Sequence, residues 1–112
     1  MSAAIIANLE KLLGTPRDGA LLRYSLGNEY LKTGDRERAI GHLREAVSRD
    51  SNQSAAWKLL ARALAEDGMP AEALQAYEQG IAVAAVKGDK QAMKEMTVFA
   101  QRLRKRLTAP PG

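Results

Sequence analysis

The chain has 112 residues, no cysteine and a formal net charge of +4. That length suits one small domain that buries roughly 65% of its unfolded surface, and the missing thiols exclude disulfides, thiolate zinc sites and thiol catalysis. The charge excess lies at one end: residues 89–112 carry six Lys and Arg against two Asp and Glu, centred on Arg102, Arg104, Lys105 and Arg106.

The apolar 46% is mostly Ala and Leu, with few β-branched residues, a composition that favours helices. Ile5, Ile6, Leu9, Leu12 and Leu13 recur at three- and four-residue steps and predict a first helix over 3–13. Its apolar run, Ala3 to Ala7, is too short for a signal core or a membrane span, so a soluble, cytoplasmic protein is expected. The stretch GTPRDG (14–19) breaks the helix, and Asp18 is the expected N-cap of the next, over 20–33. KTGDRE (32–37) is the next break, with Gly34 suited to a left-handed C-cap and Asp35 to an N-cap.

The following helix reaches Ser48, with Ala39, Ile40, Leu43, Ala46 and Val47 on one face. After RDSNQS (49–54), a helix with Trp57, Leu60, Ala61 and Leu64 runs to Asp67. Pro70 fits the first turn of the next, which carries Ala73, Leu74, Tyr77, Gly80 and Ile81. KGD (87–89), with Asp89 a further N-cap candidate, precedes a last helix over 90–107, with Met93, Met96, Phe99, Ala100, Leu103 and Leu107. Residues 108–112 are expected to be a disordered tail. The reading is all-α, six helices with short turns.

Two stretches repeat one pattern at an interval of 34 residues. Leu26 falls on Leu60, Gly27 on Ala61, Tyr30 on Leu64, Gly34 on Gly68, Ala39 on Ala73, Leu43 on Tyr77 and Ala46 on Gly80. Small residues stay small where helices must approach, and large ones stay large where they must interlock.

In these residues the chain resembles the tetratricopeptide repeat family, a 34-residue helix–turn–helix written W-x2-L-G-x2-Y, A-x3-F, P. The second copy reads Trp57, Leu60, Ala61, Leu64, Ala73 and Tyr77; the first reads Arg23, Leu26, Gly27, Tyr30, Ala39 and Leu43. Arg23 replaces the Trp, and Ser51 and Ala85 replace the Pro, departures that bear on the turns between repeats rather than on the helix pairs. The resemblance implies a right-handed α-α superhelix of antiparallel helix pairs in a single domain over 1–107. Within it, 3–13 is an N-terminal cap, 20–53 and 54–87 are the repeats, and 89–107 is a C-terminal cap that makes up for the third unit such arrays need.

In that family the first helix of each pair lines a concave groove. The positions this implies here are Leu21, Tyr24, Asn28, Leu31 and Lys32, then Ala55, Lys58, Arg62, Ala65 and Glu66. Such a surface suits a partner peptide that is acidic or presents a C-terminal carboxylate. The subfamily clamp that holds chaperone C-termini is matched only by Asn28; Tyr24, Leu59, Asp89 and Met93 occupy its other positions. Lys58 and Arg62 also read as an ordinary solvated helix face.

No metal spacing, phosphate loop or nucleophile–base set is visible, so no enzyme, metal or cofactor is expected. His42 is read as exposed on the outer side of the second helix of repeat one. The basic run lacks interleaved aromatics and sits where a helix dipole favours cations, so neither nucleic acid nor a membrane is the expected partner. The expected function is a non-enzymatic protein-interaction adaptor, a monomer or weak homodimer. The alternative is a structural, self-assembling module that oligomerises through its terminal helices. Burial of Met93, Met96 and Phe99 within the chain would weaken that alternative.

Overall fold

The computed structural model describes residues 2–110. It contains six helices: α1 (Ser2–Glu10), α2 (Ala20–Lys32), α3 (Arg36–Arg49), α4 (Ser54–Glu66), α5 (Pro70–Lys87) and α6 (Lys90–Thr108). No strand occurs among the described residues, and no helix is long and apolar enough to cross a membrane.

The turns follow from local chemistry. The Asp35 and Asp89 side chains accept from the Arg38 and Ala92 backbone N–H groups and cap α3 and α6, as their positions predict. Pro70 opens α5 where no N–H is required. Gly34, at φ 84, takes the left-handed conformation that lets the chain reverse after α2.

Three expectations at helix ends need correction. The first helix stops at Glu10, because Leu12 and Leu13 bond three residues back, to the Leu9 and Glu10 carbonyls, and Gly14 turns the chain away. Gly19, not Asp18, stands at the N-cap of α2. The Asp18 carboxylate accepts instead from the Gly14 N–H at 2.9 Å and from Arg23 at 2.9 and 3.0 Å. Thr108, assigned to the tail, is the last residue of α6, while 111–112 lie outside the described residues.

Three-residue turns after α2 and α4 make antiparallel pairs, so α2 packs chiefly on α3 and α4 on α5. The third strong contact is α5 with α6; α3 joins the pairs through α4, and α1 covers α2. The molecule measures 46 × 35 × 21 Å, two helix layers thick in its shortest direction. Leu26, Leu43, Leu64 and Met96 are the largest fully buried side chains and mark one continuous core through the stack. Each fully buried apolar side chain of this size contributes about 1.5–3 kcal/mol.

His42 corrects a further expectation. It is half-buried, with its ring stacked on Tyr30 at 5.6 Å between centroids and 7° between planes. Arg23 lies 3.5 Å from its Nδ1. Burial, reinforced by the Arg23 charge, pushes its pKa below the ordinary value.

Candidate functional site

The first helices of the two pairs, α2 and α4, lie side by side, and α6 continues the row beyond α4. Two hollows open along it. The wider, about 690 Å³, lies between α4 and α6 and is bounded by Lys58, Arg62, Ala65 and Glu66 of α4. Tyr77 of α5 and Glu95 and Phe99 of α6 complete it. The narrower, about 320 Å³, lies where the starts of α2 and α4 meet the end of α3, and Leu21, Tyr24 and Ala55 are among its lining residues.

Seven of the ten predicted groove residues therefore border a hollow: Lys58, Arg62, Ala65 and Glu66 the wide one, Leu21, Tyr24 and Ala55 the narrow one. The remaining three border neither. Asn28 is half-buried on α2, Leu31 is buried in the core, and Lys32 is exposed and pairs with Glu29 at 3.0 Å. Leu31 falls on the inward side because an apolar side chain at that step of α2 packs better than it hydrates.

The wide hollow has an apolar floor and charged walls. Tyr77 and Phe99 stack at 5.6 Å and 11°, and Phe99 keeps 40% of its surface exposed. The Arg102 guanidinium carbon lies 5.6 Å above the centroid of the Phe99 ring, a cation–π arrangement. Lys58 donates to Glu95, and Gln91 donates to the other Glu95 oxygen at 3.0 Å. Those two donors hold the Glu95 carboxyl below its ordinary range. Arg62 pairs with Glu66 at 3.2 Å, and Arg36 approaches the same carboxylate at 4.0 Å. Both groove cations picked out in the sequence thus have carboxylate partners already. Burial raises the Tyr77 hydroxyl pKa, with the Arg62 charge opposing it.

Tyr77, Glu95 and Phe99 escaped the sequence-based choice of groove residues. The signal was available in the lengths: α5 has 18 residues against 14 in α3, so α6 starts late relative to the 34-residue period. That delay brings Glu95 opposite Lys58. Met96 is fully buried and Met93 partly so, while Phe99 is the most exposed of the three and opens toward the hollow.

A family model for the tetratricopeptide repeat matches residues 24–89. The TPR repeat-containing protein PA0015 of Pseudomonas aeruginosa is 54% identical over 99 residues, which cover 88% of this chain and 94% of that one. The solution structure of protein BPP2914 from Bordetella parapertussis is similar at TM-score 0.77 and 40% identity, over 91% of this chain and 89% of that one. The Sgt2 TPR domain from Aspergillus fumigatus reaches TM-score 0.78 at 22% identity, over 99% of this chain and 75% of that one, a likeness of fold alone.

Proposed function

The chain belongs to the tetratricopeptide repeat family, and on that premise we propose that it is a non-enzymatic adaptor holding a partner peptide along the face formed by α2, α4 and α6. Its coarse role is that of a protein-interaction module. The finer reading rests on the open hollow between α4 and α6, where the half-exposed Phe99 and the buried Tyr77 form an apolar floor flanked by ion pairs. Burying an apolar side chain of the partner on that floor supplies most of the affinity. The charged walls set register: a peptide carboxylate gains a place by displacing Glu95 from Lys58 or Glu66 from Arg62, an exchange of partners with little net energy. Acidic residues therefore select the register of the peptide more than they hold it.

The adaptor works in the cytoplasm, a reducing compartment that costs a cysteine-free chain nothing. On this reading it uses neither nucleic acid nor a membrane: Arg104 is paired with Glu78, Arg102 lies over Phe99, and Lys105 and Arg106 stand in the last turn of α6, where the helix dipole favours cations. The alternative of self-assembly through α6 loses Met96 as an anchor, since it is buried in the chain's own core, but keeps Val98, Phe99 and Leu107 at the surface of that helix. Helix α1 retains Ile5 at the surface as a contact for that alternative.

The test is affinity capture from native lysate with wild type, Phe99→Ser and Lys58→Gln/Arg62→Gln, read by quantitative mass spectrometry. Gln is preferred to Glu at position 58, because a carboxylate there would face Glu95 and disturb α4–α6 packing. A partner retained by wild type, lost by Phe99→Ser and weakened by the double variant fits the groove. Identical partner lists for all three, with matching helical CD, would sink it, and a rise of sedimenting mass with concentration would point to self-assembly.

A further inference from the structure

The narrower hollow has a different character from the wider one. Four alanines, Ala20, Ala46, Ala55 and Ala56, line its wall where longer side chains would fill the space. Leu21 borders it with 77% of its surface exposed, at a position where the helix has no packing use for an apolar side chain. The charged group on its lining is Asp50. That carboxylate accepts from the Asn52 N–H and the Gln53 side-chain amide, both at 3.0 Å. No ion pair to Asp50 occurs among the described residues; Lys87 acts on it only at longer range. The two hollows therefore differ in what they lack. The wide one has its cations matched, and the narrow one presents an apolar wall beside an unmatched anion.

Resting on the adaptor reading above, we infer that the α2–α4 hollow is a socket for a partner segment carrying one large apolar side chain with a Lys or Arg within two residues of it. The size fits: an apolar cavity of about 150 Å³ already accommodates a benzene ring, and this hollow is about 320 Å³. The apolar side chain replaces water against the alanines and Leu21, and the cation reaches the Asp50 oxygens from the solvent side. Asp50 takes it without giving up a partner of its own, since its present donors occupy one contact on each oxygen and leave room for more. The ligand class is a peptide with a defined direction: its basic-apolar portion lies at the α2–α4 end and its other apolar anchor at the Tyr77–Phe99 end.

A phage-displayed library of random twelve-residue peptides, selected on the wild-type chain, tests this. The winners are then measured against Asp50→Asn, Ala55→Phe and Phe99→Ser, each first checked for wild-type helical CD. Ala55 is exposed, so a Phe there fills the mouth of the hollow without entering the core. The expected winners pair Leu, Met or Phe with a nearby Lys or Arg, bind Asp50→Asn about fivefold more weakly and lose at least tenfold on Ala55→Phe. Winners with no basic preference, or that bind Asp50→Asn as well as wild type, overturn the socket. If those winners still lose binding on Phe99→Ser, the groove reading survives without it. Winners indifferent to all three variants, or no enrichment at all, overturn both.

Discussion

Gly27 and Leu43 touch so closely that a methyl group on Gly27 would fall 2.5 Å from Leu43 Cγ and 2.7 Å from one of its methyls. This contact sets the spacing of α2 and α3. Leu43 is fully buried and has no room to yield. Gly27→Ala gains about 1 kcal/mol of helix propensity and loses more to overpacking, for a net destabilisation of about 1–2 kcal/mol. The same substitution at Gly80 meets Met96 Sδ at 2.5 Å and Trp57 Cβ at 3.0 Å. Met96 is as buried as Leu43, but its unbranched thioether adjusts more easily than a branched leucine, so the loss is smaller, about 1 kcal/mol or less. Gly41, in mid-helix with nothing within 4 Å, gains roughly 0.5–1 kcal/mol on becoming Ala. Urea denaturation should give the order Gly41→Ala, wild type, Gly80→Ala, Gly27→Ala, most stable first.

Asp18 fastens the loop between α1 and α2. Its side chain is 7% exposed, and Arg49 of α3 donates to its carbonyl at 2.7 Å. The hydrogen bond from Arg23 and then that from the Gly14 N–H hold the carboxyl well below its usual range. A carboxyl depressed in the folded state binds protons more readily when unfolded, so its contribution is present above about pH 4 and fades as the pH falls below that. Asp18→Asn should lower the thermal midpoint at pH 7, and its gap from wild type should narrow between pH 4 and pH 2. Arg23→Trp, which writes the family's residue into the first repeat, should also destabilise, because the indole removes the nearer of the two cations on Asp18 and leaves only Arg49, at 3.7 Å.

His42 titrates in the opposite chemical sense but with the same direction of effect. Its folded-state pKa is depressed, so the unfolded chain takes up a proton first as pH falls below about 6.5, and stability declines with it. The proton NMR titration of the ring should have its midpoint below 6.5. His42→Phe keeps the stack on Tyr30 and should flatten the fall in thermal midpoint between pH 7 and pH 5.

The pair of Lys58 and Glu95 joins α4 to α6 at the groove wall while both remain about 40% exposed. Lys58→Ala should cost under about 1 kcal/mol of stability, as exposed pairs do. The electrostatic effect is the clearer readout: the carbon NMR titration of the Glu95 carboxyl should move up toward the ordinary glutamate value.

The helices, their order and most of the core were legible because helical spacing and Gly, Asp and Pro punctuation are local signals. The interval between the two copies added the pairing of helices. What stayed hidden depended on which side chains meet across a turn or between helices. Lys58 reads as a free cation until the extra length of α5 brings Glu95 against it. Asp18 reads as a cap until Arg23, a departure from the family pattern, claims its carboxylate. Arg23 and Trp57 prove to do one job by different chemistry: the indole N–H of Trp57 donates to the Ser51 carbonyl at 2.9 Å, tying its own preceding turn to its helix. His42 reads as exposed because no sequence pattern foretells that Tyr30, on another helix, lies flat against it.

Each helix leans mainly on the one before it and the one after it, so the molecule behaves as a short one-dimensional stack. In such a stack, opening starts at an end and works inward, and α6, held mostly by α5, is an end. A peptide lying across α4 and α6 would act as a strap over that end. Amide hydrogen exchange in α6 would slow as the strap engages, by a factor that grows with free peptide over its dissociation constant. The rate at which the last helix breathes is thus a built-in gauge of whether the groove is filled.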